Sequence, residues 1–170
     1  LGINDDGAEN LAKLHKLRTL WLMATSIGDP TLEAISNLEQ LESLEVSNTK
    51  IGDAGVAHLN KLTRLRLLSL AHTQVGDLGI QSLTDLDQVT FLTLTNTQIT
   101  DESIPIIAGM AELQSLYLDF RSKPRPEKLL QLCALKKLMY LHVAGPEIAP
   151  ETVIALEKGL PTCTVKVWDE

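Results

Sequence analysis

A chain of 170 residues with a formal net charge of −7 has room for a sizeable core, but it lacks the basic face that general nucleic-acid binding requires. Apolar residues make up 44% of it and aromatic residues only 4%, so leucine, isoleucine and valine must fill the interior. No apolar run approaches the roughly 18 residues of a membrane span, and the two cysteines are too few for a zinc site or a disulfide framework.

Residues 1–16 read as the helical half of a repeat whose strand is missing, because Ile3, Asp5, Leu11 and Leu14 share columns with Ile27, Asp29, Ile35 and Leu38. The chain has no initiator Met and no signal-like opening, so the sequence reads as a processed or excised segment, and its compartment is not given. From Leu17 a unit recurs every 24 residues: LRTLWLMATSIGD, LESLEVSNTKIGD, LRLLSLAHTQVGD and VTFLTLTNTQITD. Such a period is the mark of stacked structural repeats. The repeats are expected at 17–40, 41–64, 65–88, 89–112, 113–137 and 138–161, with a capping strand at 162–170, all in one domain spanning 1–170.

Within each unit the pattern changes period. The x-L-x-L-x stretch alternates apolar and variable residues, as a strand with one buried face does. A threonine column follows (Thr25, Thr49, Thr73, Thr97), then a glycine column (Gly28, Gly52, Gly76) and an aspartate column (Asp29, Asp53, Asp77, Asp101). Glycine there predicts a backbone of positive φ, and aspartate predicts a cap for the helix that follows. Leucine spacing, as in Leu32, Ile35 and Leu38 or Ile80, Leu83 and Leu86, predicts that helix.

These motifs resemble the leucine-rich-repeat family in a 24-residue bacterial-type variant, close to L-x-x-L-x-L-x-x-T-x-I-x-D-x-G-L, over essentially the whole chain. The resemblance implies an α/β solenoid, a right-handed horseshoe arc with a parallel sheet on its concave side and helices outside. Where that family lines the turn with asparagine, threonine stands here, so a hydroxyl must satisfy the local backbone.

The fifth repeat breaks the pattern. It reads DFRSKPRPEK, with Arg121, Lys123 and Arg125 in place of the threonine, isoleucine and aspartate signature, and Pro124 and Pro126 stiffen the loop. Leu129, Leu132 and Leu135 resume the helical face one residue late. The sixth repeat has Pro150 in the aspartate column.

No residues assemble into catalysis on the sequence. His15, His58, His72 and His142 have no metal-ligand spacing. Asn4, Asp5 and Asp6 open like a calcium loop but meet Lys16 where that loop needs glutamate. Neither a cofactor nor a metal is called for. Pairing of Cys133 with Cys163 stays open.

The outward positions of the strands carry the functional signal. Five of the six aromatic residues occupy them, and the sixth, Phe120, is in the next column. Phe91, Tyr117, Phe120, Tyr140 and Trp168 fall on four consecutive strands, which suits an interface. Residues 1–120 hold 7 basic and 16 acidic side chains, whereas residues 121–170 hold 8 and 6, giving balances of −9 and +2. Arg121, Lys123, Arg125, Lys128 and Lys166 thus share the aromatic half. The sequence therefore predicts a non-catalytic module that binds a protein or peptide on its concave face, a partner with an acidic segment fitting best. The expected contacts are Phe91, Tyr117, Asp119, Phe120, Arg121, Tyr140, His142, Lys166 and Trp168. Two alternatives remain beside it: a structural spacer of a larger bacterial protein, and a carbohydrate-binding surface. An open sheet edge near Trp21 also offers a route to self-association; nucleic acid and membrane insertion are not expected.

Overall fold

The computed structural model describes residues 3–168. Seven strands, β1 (Thr19–Trp21), β2 (Ser43–Glu45), β3 (Leu67–Ser69), β4 (Phe91–Leu94), β5 (Ser115–Asp119), β6 (Tyr140–Ala144) and β7 (Thr164–Trp168), form one parallel sheet in sequence order. Thr19 pairs with Ser43, Ser43 with Leu67, Leu67 with Phe91 and Phe91 with Ser115. Ser115 then pairs with Tyr140 across the inserted residue, and Tyr140 with Thr164. β2, β4 and β5 alternate buried and outward positions, and the strand register stacks the leucines of one column directly on those of the next.

Leu44, Leu68, Leu92 and Leu116 are fully buried, as are Val46, Leu70, Leu94 and Leu118 beside them. Burying each such side chain contributes roughly 1.5–3 kcal/mol. In the first layer Leu20 and Leu22 keep 7% and 5% of their surface, and Val165 and Val167 in the last are only partly buried, because strands at either edge have one neighbour instead of two.

Helices on the opposite face are shorter than the leucine spacing suggests. They are α1 (Ala8–Leu11), α2 (Asp29–Ile35), α3 (Asp53–Val56), α4 (Asp77–Gln81), α5 (Ile104–Ala108), α6 (Pro126–Leu129) and α7 (Pro150–Gly159), several of them continued or preceded by 3-10 turns. Leu38, Leu83 and Leu86 lie beyond the helix ends, yet all are buried. A 24-residue repeat leaves too few residues for a longer helix once the strand and both turns are built.

The turns differ from expectation in two columns. Gly28, Gly52 and Gly76 have φ of −140°, −126° and −120°, ordinary extended backbone rather than a left-handed turn. In the first four repeats the left-handed residues are instead Ala24, Asn48, His72 and Asn96, each one position before the threonine, with φ between 50° and 56°. Asparagine tolerates that region better than most residues. The threonine hydroxyl closes the same turn: Thr25, Thr49, Thr73 and Thr97 donate to the carbonyls of Leu22, Val46, Leu70 and Leu94 at 2.6–2.8 Å. The local backbone demand that asparagine would have met is thus met by a hydroxyl.

Nor do the aspartates cap their own helices. Each reaches forward one layer: Asp5, Asp29 and Asp53 accept the backbone N–H of Gly28, Gly52 and Gly76 at 2.9, 2.7 and 2.6 Å, and Asp77 accepts that of Thr100 at 2.9 Å. The expectation of a local cap fails because the carboxylate has an unpaired donor closer at hand in the next repeat. Either a hydroxyl residue or a glycine accompanies this stitch at the position 26 residues after the aspartate. Thr31 and Ser103 donate their hydroxyls to Asp5 and Asp77, whereas Gly55 and Gly79 leave room, since a Cβ on either would overlap the carboxylate of Asp29 or Asp53.

Repeat five continues the stitch by other means. Pro124 is buried, and the Arg125 N–H donates to Asp101 at 2.7 Å where glycine did before. The Arg125 side chain adds its own bond to the same carboxylate, Nε to Oδ2 at 2.8 Å, and pairs with Glu102, which also meets Lys128 at 3.1 Å.

Candidate functional site

Outward side chains of β1–β7 form a continuous face whose two halves differ. From β2 to β4 the face, apart from Leu67 and Phe91, is mostly polar, and several of its groups bond one another. Ser47 and Ser69 hydroxyls lie 2.6 Å apart, Thr93 and Thr95 hydroxyls 3.3 Å apart, and Asn96 Nδ2 sits 2.8 Å from His72 Nδ1. These groups are already partnered, so they offer a ligand little unmet bonding.

From β4 to β7 the face is ringed. Phe91 and Tyr117 have centroids 5.6 Å apart and tilted by 42°, Tyr117 and His142 follow at 5.8 Å and 35°, and His142 stacks on Trp168 at 6.2 Å and 18°. One residue from each of four strands therefore joins a single run that crosses the sheet diagonally. Separations of this order are favourable for aromatic pairs. Strand register produces the run: Tyr117 pairs with His142, and His142 with Lys166 two residues before Trp168. Trp168 and Tyr140 remain 57% and 53% exposed, which leaves their apolar surface available for contact. A shallow depression of about 130 Å³ opens beside the run, lined by Tyr117, Tyr140, Leu141, His142, Thr164 and Lys166.

Of the nine residues expected from sequence, the run brings together Phe91, Tyr117, His142 and Trp168, with Tyr140 and Lys166 at its flank. Asp119 stands on the same face, half-buried, and accepts the Asn96 N–H at 3.2 Å. Arg121 is exposed just past the end of β5. Phe120 is a correction: with 2% of its surface exposed it belongs to the core and cannot meet a partner. Counting columns placed it one step from the face, and that step turns the side chain inward. Gly145, at φ +156°, lies against it, since a Cβ there would come within 3.2 Å of Phe120. Sequence counting also missed the part played by His142 as the ring that joins Tyr117 to Trp168, although its strand column held the signal.

The basic half is less basic than the residue count implies. Lys123 pairs with Glu147 at 2.9 Å, Lys137 with Glu112 at 2.6 Å, and Arg125 and Lys128 with the Asp101 and Glu102 carboxylates. Arg125 holds Asp101 and Glu102 below the usual carboxylate range by hydrogen bonding, and Lys123 does the same to Glu147. Lys166 has no carboxylate partner among the described residues and borders the rings.

A larger hollow, about 510 Å³, lies along Lys13–Leu17 at the β1 end, where Ile3, Leu14, Trp21 and Met23 are also exposed. Trp21 Nε1 donates to Ser43 Oγ at 3.4 Å. Cys133 and Cys163 are free thiols, and burial pushes both up, away from the thiolate that a nucleophile needs. Among the described residues no three His, Cys, Asp or Glu side chains gather as a metal site, and no helix is long and apolar enough to cross a membrane.

Known proteins share this architecture. A leucine-rich-repeat protein of Leptospira interrogans superposes with a TM-score of 0.61 at 19% identity, over 93% of this chain and 50% of that one. An internalin (inlF) of Listeria monocytogenes gives 0.60 at 16%, over 97% and 62%. The plant peptide hormone receptor RGFR1, solved in complex with RGF2, gives 0.58 at 20%, over 93% and 29%. This chain thus spans about half the length of the first of these and under two thirds of the second. At such identities the likeness is one of fold. No curated protein matches the sequence. The leucine-rich repeat region family matches residues 2–163, nearly the whole chain, and on that match, with the stacked strand and turn repeats just described, the chain belongs to the leucine-rich-repeat proteins.

Proposed function

We propose that this chain is a non-catalytic module that binds a protein or peptide on its concave sheet, chiefly on the half from β4 to β7. The observation that carries the reading is the unbroken run of rings from Phe91 to Trp168, flanked by the exposed Tyr140. The leucine core is complete without these rings, so packing does not account for their place on the surface. Large, rigid rings bury much area at low entropic cost, and such residues dominate binding energy at interfaces. The plant receptor among the similar structures was solved with a peptide hormone, which supports reading such an arc as a binding scaffold.

The test uses a partner captured by the unaltered domain. Tyr117→Ala or Trp168→Ala is expected to weaken its binding about tenfold or more while leaving the circular dichroism spectrum and melting temperature close to wild type. Leu130→Ala, on the helical side, is expected to leave binding unchanged. Full binding by both ring variants would place the contact surface elsewhere.

A further inference from the structure

We propose that the depression beside the ring run is a carboxylate subsite: it takes an aspartate or glutamate side chain of the bound segment against Lys166, while a neighbouring apolar side chain packs on the His142 and Trp168 rings. The inference rests on the binding role just given to this face.

Three observations lead to it. The first is size. At about 130 Å³ the depression has room for the end of one side chain and is far below a cofactor cleft. The second is the chemistry of its walls. The pairing of Tyr140 with Thr164 and of His142 with Lys166, beside Tyr117, sets three hydroxyl-bearing residues and one lysine around one hollow. An ammonium can only donate, so its complement is an acceptor, and an anionic one bonds it most strongly. The third is the state of that charge. Lys123, Arg125, Lys128 and Lys137 are committed to carboxylates elsewhere, whereas Lys166 pairs with none among the described residues. In a chain of net charge −7, an acidic partner would meet repulsion over most of the surface and an unspent cation here.

Asp119 gives the bound segment a direction. It lies on the same face, paired through Ala144 to Trp168, two strands away from β7. A carboxylate is disfavoured beside Asp119 and favoured beside Lys166, so the acidic side chain sits in the row of Lys166 and His142 at β7, and the apolar one lies over the His142 and Trp168 rings.

The test uses two capped tripeptides, acetyl-Leu-Ser-Glu-amide and acetyl-Leu-Ser-Gln-amide, which differ only in a carboxylate against a carboxamide of nearly the same shape. A Trp21→Phe background leaves Trp168 as the sole indole, so its Nε1–H resonance in nitrogen-15 NMR reports on the site. The glutamate probe is expected to shift that resonance at millimolar concentration, with the glutamine probe about tenfold weaker. Lys166→Met is expected to bring the two probes to equal affinity. Equal affinities with Lys166 present, discrimination that survives Lys166→Met, or silence of both probes would each overturn the subsite. None of these touches the broader binding role, which stands or falls on the Tyr117 and Trp168 variants against an intact partner.

Discussion

Two glycines three residues apart, Gly52 and Gly55, show how differently one residue type is used within a single turn. Gly52 has extended backbone, and a Cβ added to it would meet the Asp29 carboxylate at 3.7 Å, ordinary contact. Gly55 has no such room, because its Cβ would fall on the Asp29 carboxylate that stitches one layer to the next. Gly55→Ala is therefore expected to cost about 1–3 kcal/mol in urea unfolding. Gly52→Ala is expected to be neutral or to stabilise by up to about 1 kcal/mol, since it restricts the unfolded chain at a compatible backbone position. A reversed order of the two midpoints would show that the stitch does not constrain this turn. Recurrence made both columns visible in the sequence, but which glycine was needed depended on a carboxylate 26 residues earlier, and no local pattern points to it.

At the scale of elements, the fifth repeat replaces the regular turn with an ion cluster. Arg125 serves Asp101 through both its backbone and its guanidinium, and reaches Glu102 as well. Both carboxylates titrate below their ordinary values of 3.8 and 4.5, chiefly through hydrogen bonds from Arg125. Groups with depressed folded values add stability that is complete above the ordinary range and is lost as the pH falls through the lowered folded values. Arg125→Gln should therefore lower the melting temperature by a few degrees at neutral pH. The gap to wild type should close as the solution is acidified past the carboxylate range. A gap that persists in acid would assign the effect of Arg125 to packing. The sequence marked this loop as irregular and basic, in the half expected to meet an acidic partner. Its cations are instead largely spent within the chain, because Asp101 and Glu102 of the preceding layer stand opposite Arg125 and Lys128, and Glu147 of the following layer stands opposite Lys123.

Across the whole molecule, each layer leans on its neighbours alone, so a residue's worth depends on how many neighbours it has. Leu68 lies within β3, between two strands, and is fully buried, whereas Leu20 lies in the first strand and keeps 7% of its surface. Leu68→Ala is expected to destabilise by about 2–5 kcal/mol and Leu20→Ala by distinctly less. Equal losses in chemical unfolding would show that the β1 layer is supported from both sides. Sequence by itself determined the repeat and the columns that face outward, because a period of 24 residues with leucine at fixed offsets admits one stacking register, and the resemblance of its motifs to the leucine-rich-repeat family implied the parallel sheet. Tertiary structure alone decided the rest: that Phe120 turns inward, that His142 joins Tyr117 to Trp168, that the aspartates reach forward a layer, and that Lys166 lines the depression beside the rings. The physical reason is the same in each case. Periodicity fixes which face a side chain leaves from, but its partners are set by distances between residues of different layers, and those exist only once the layers are stacked.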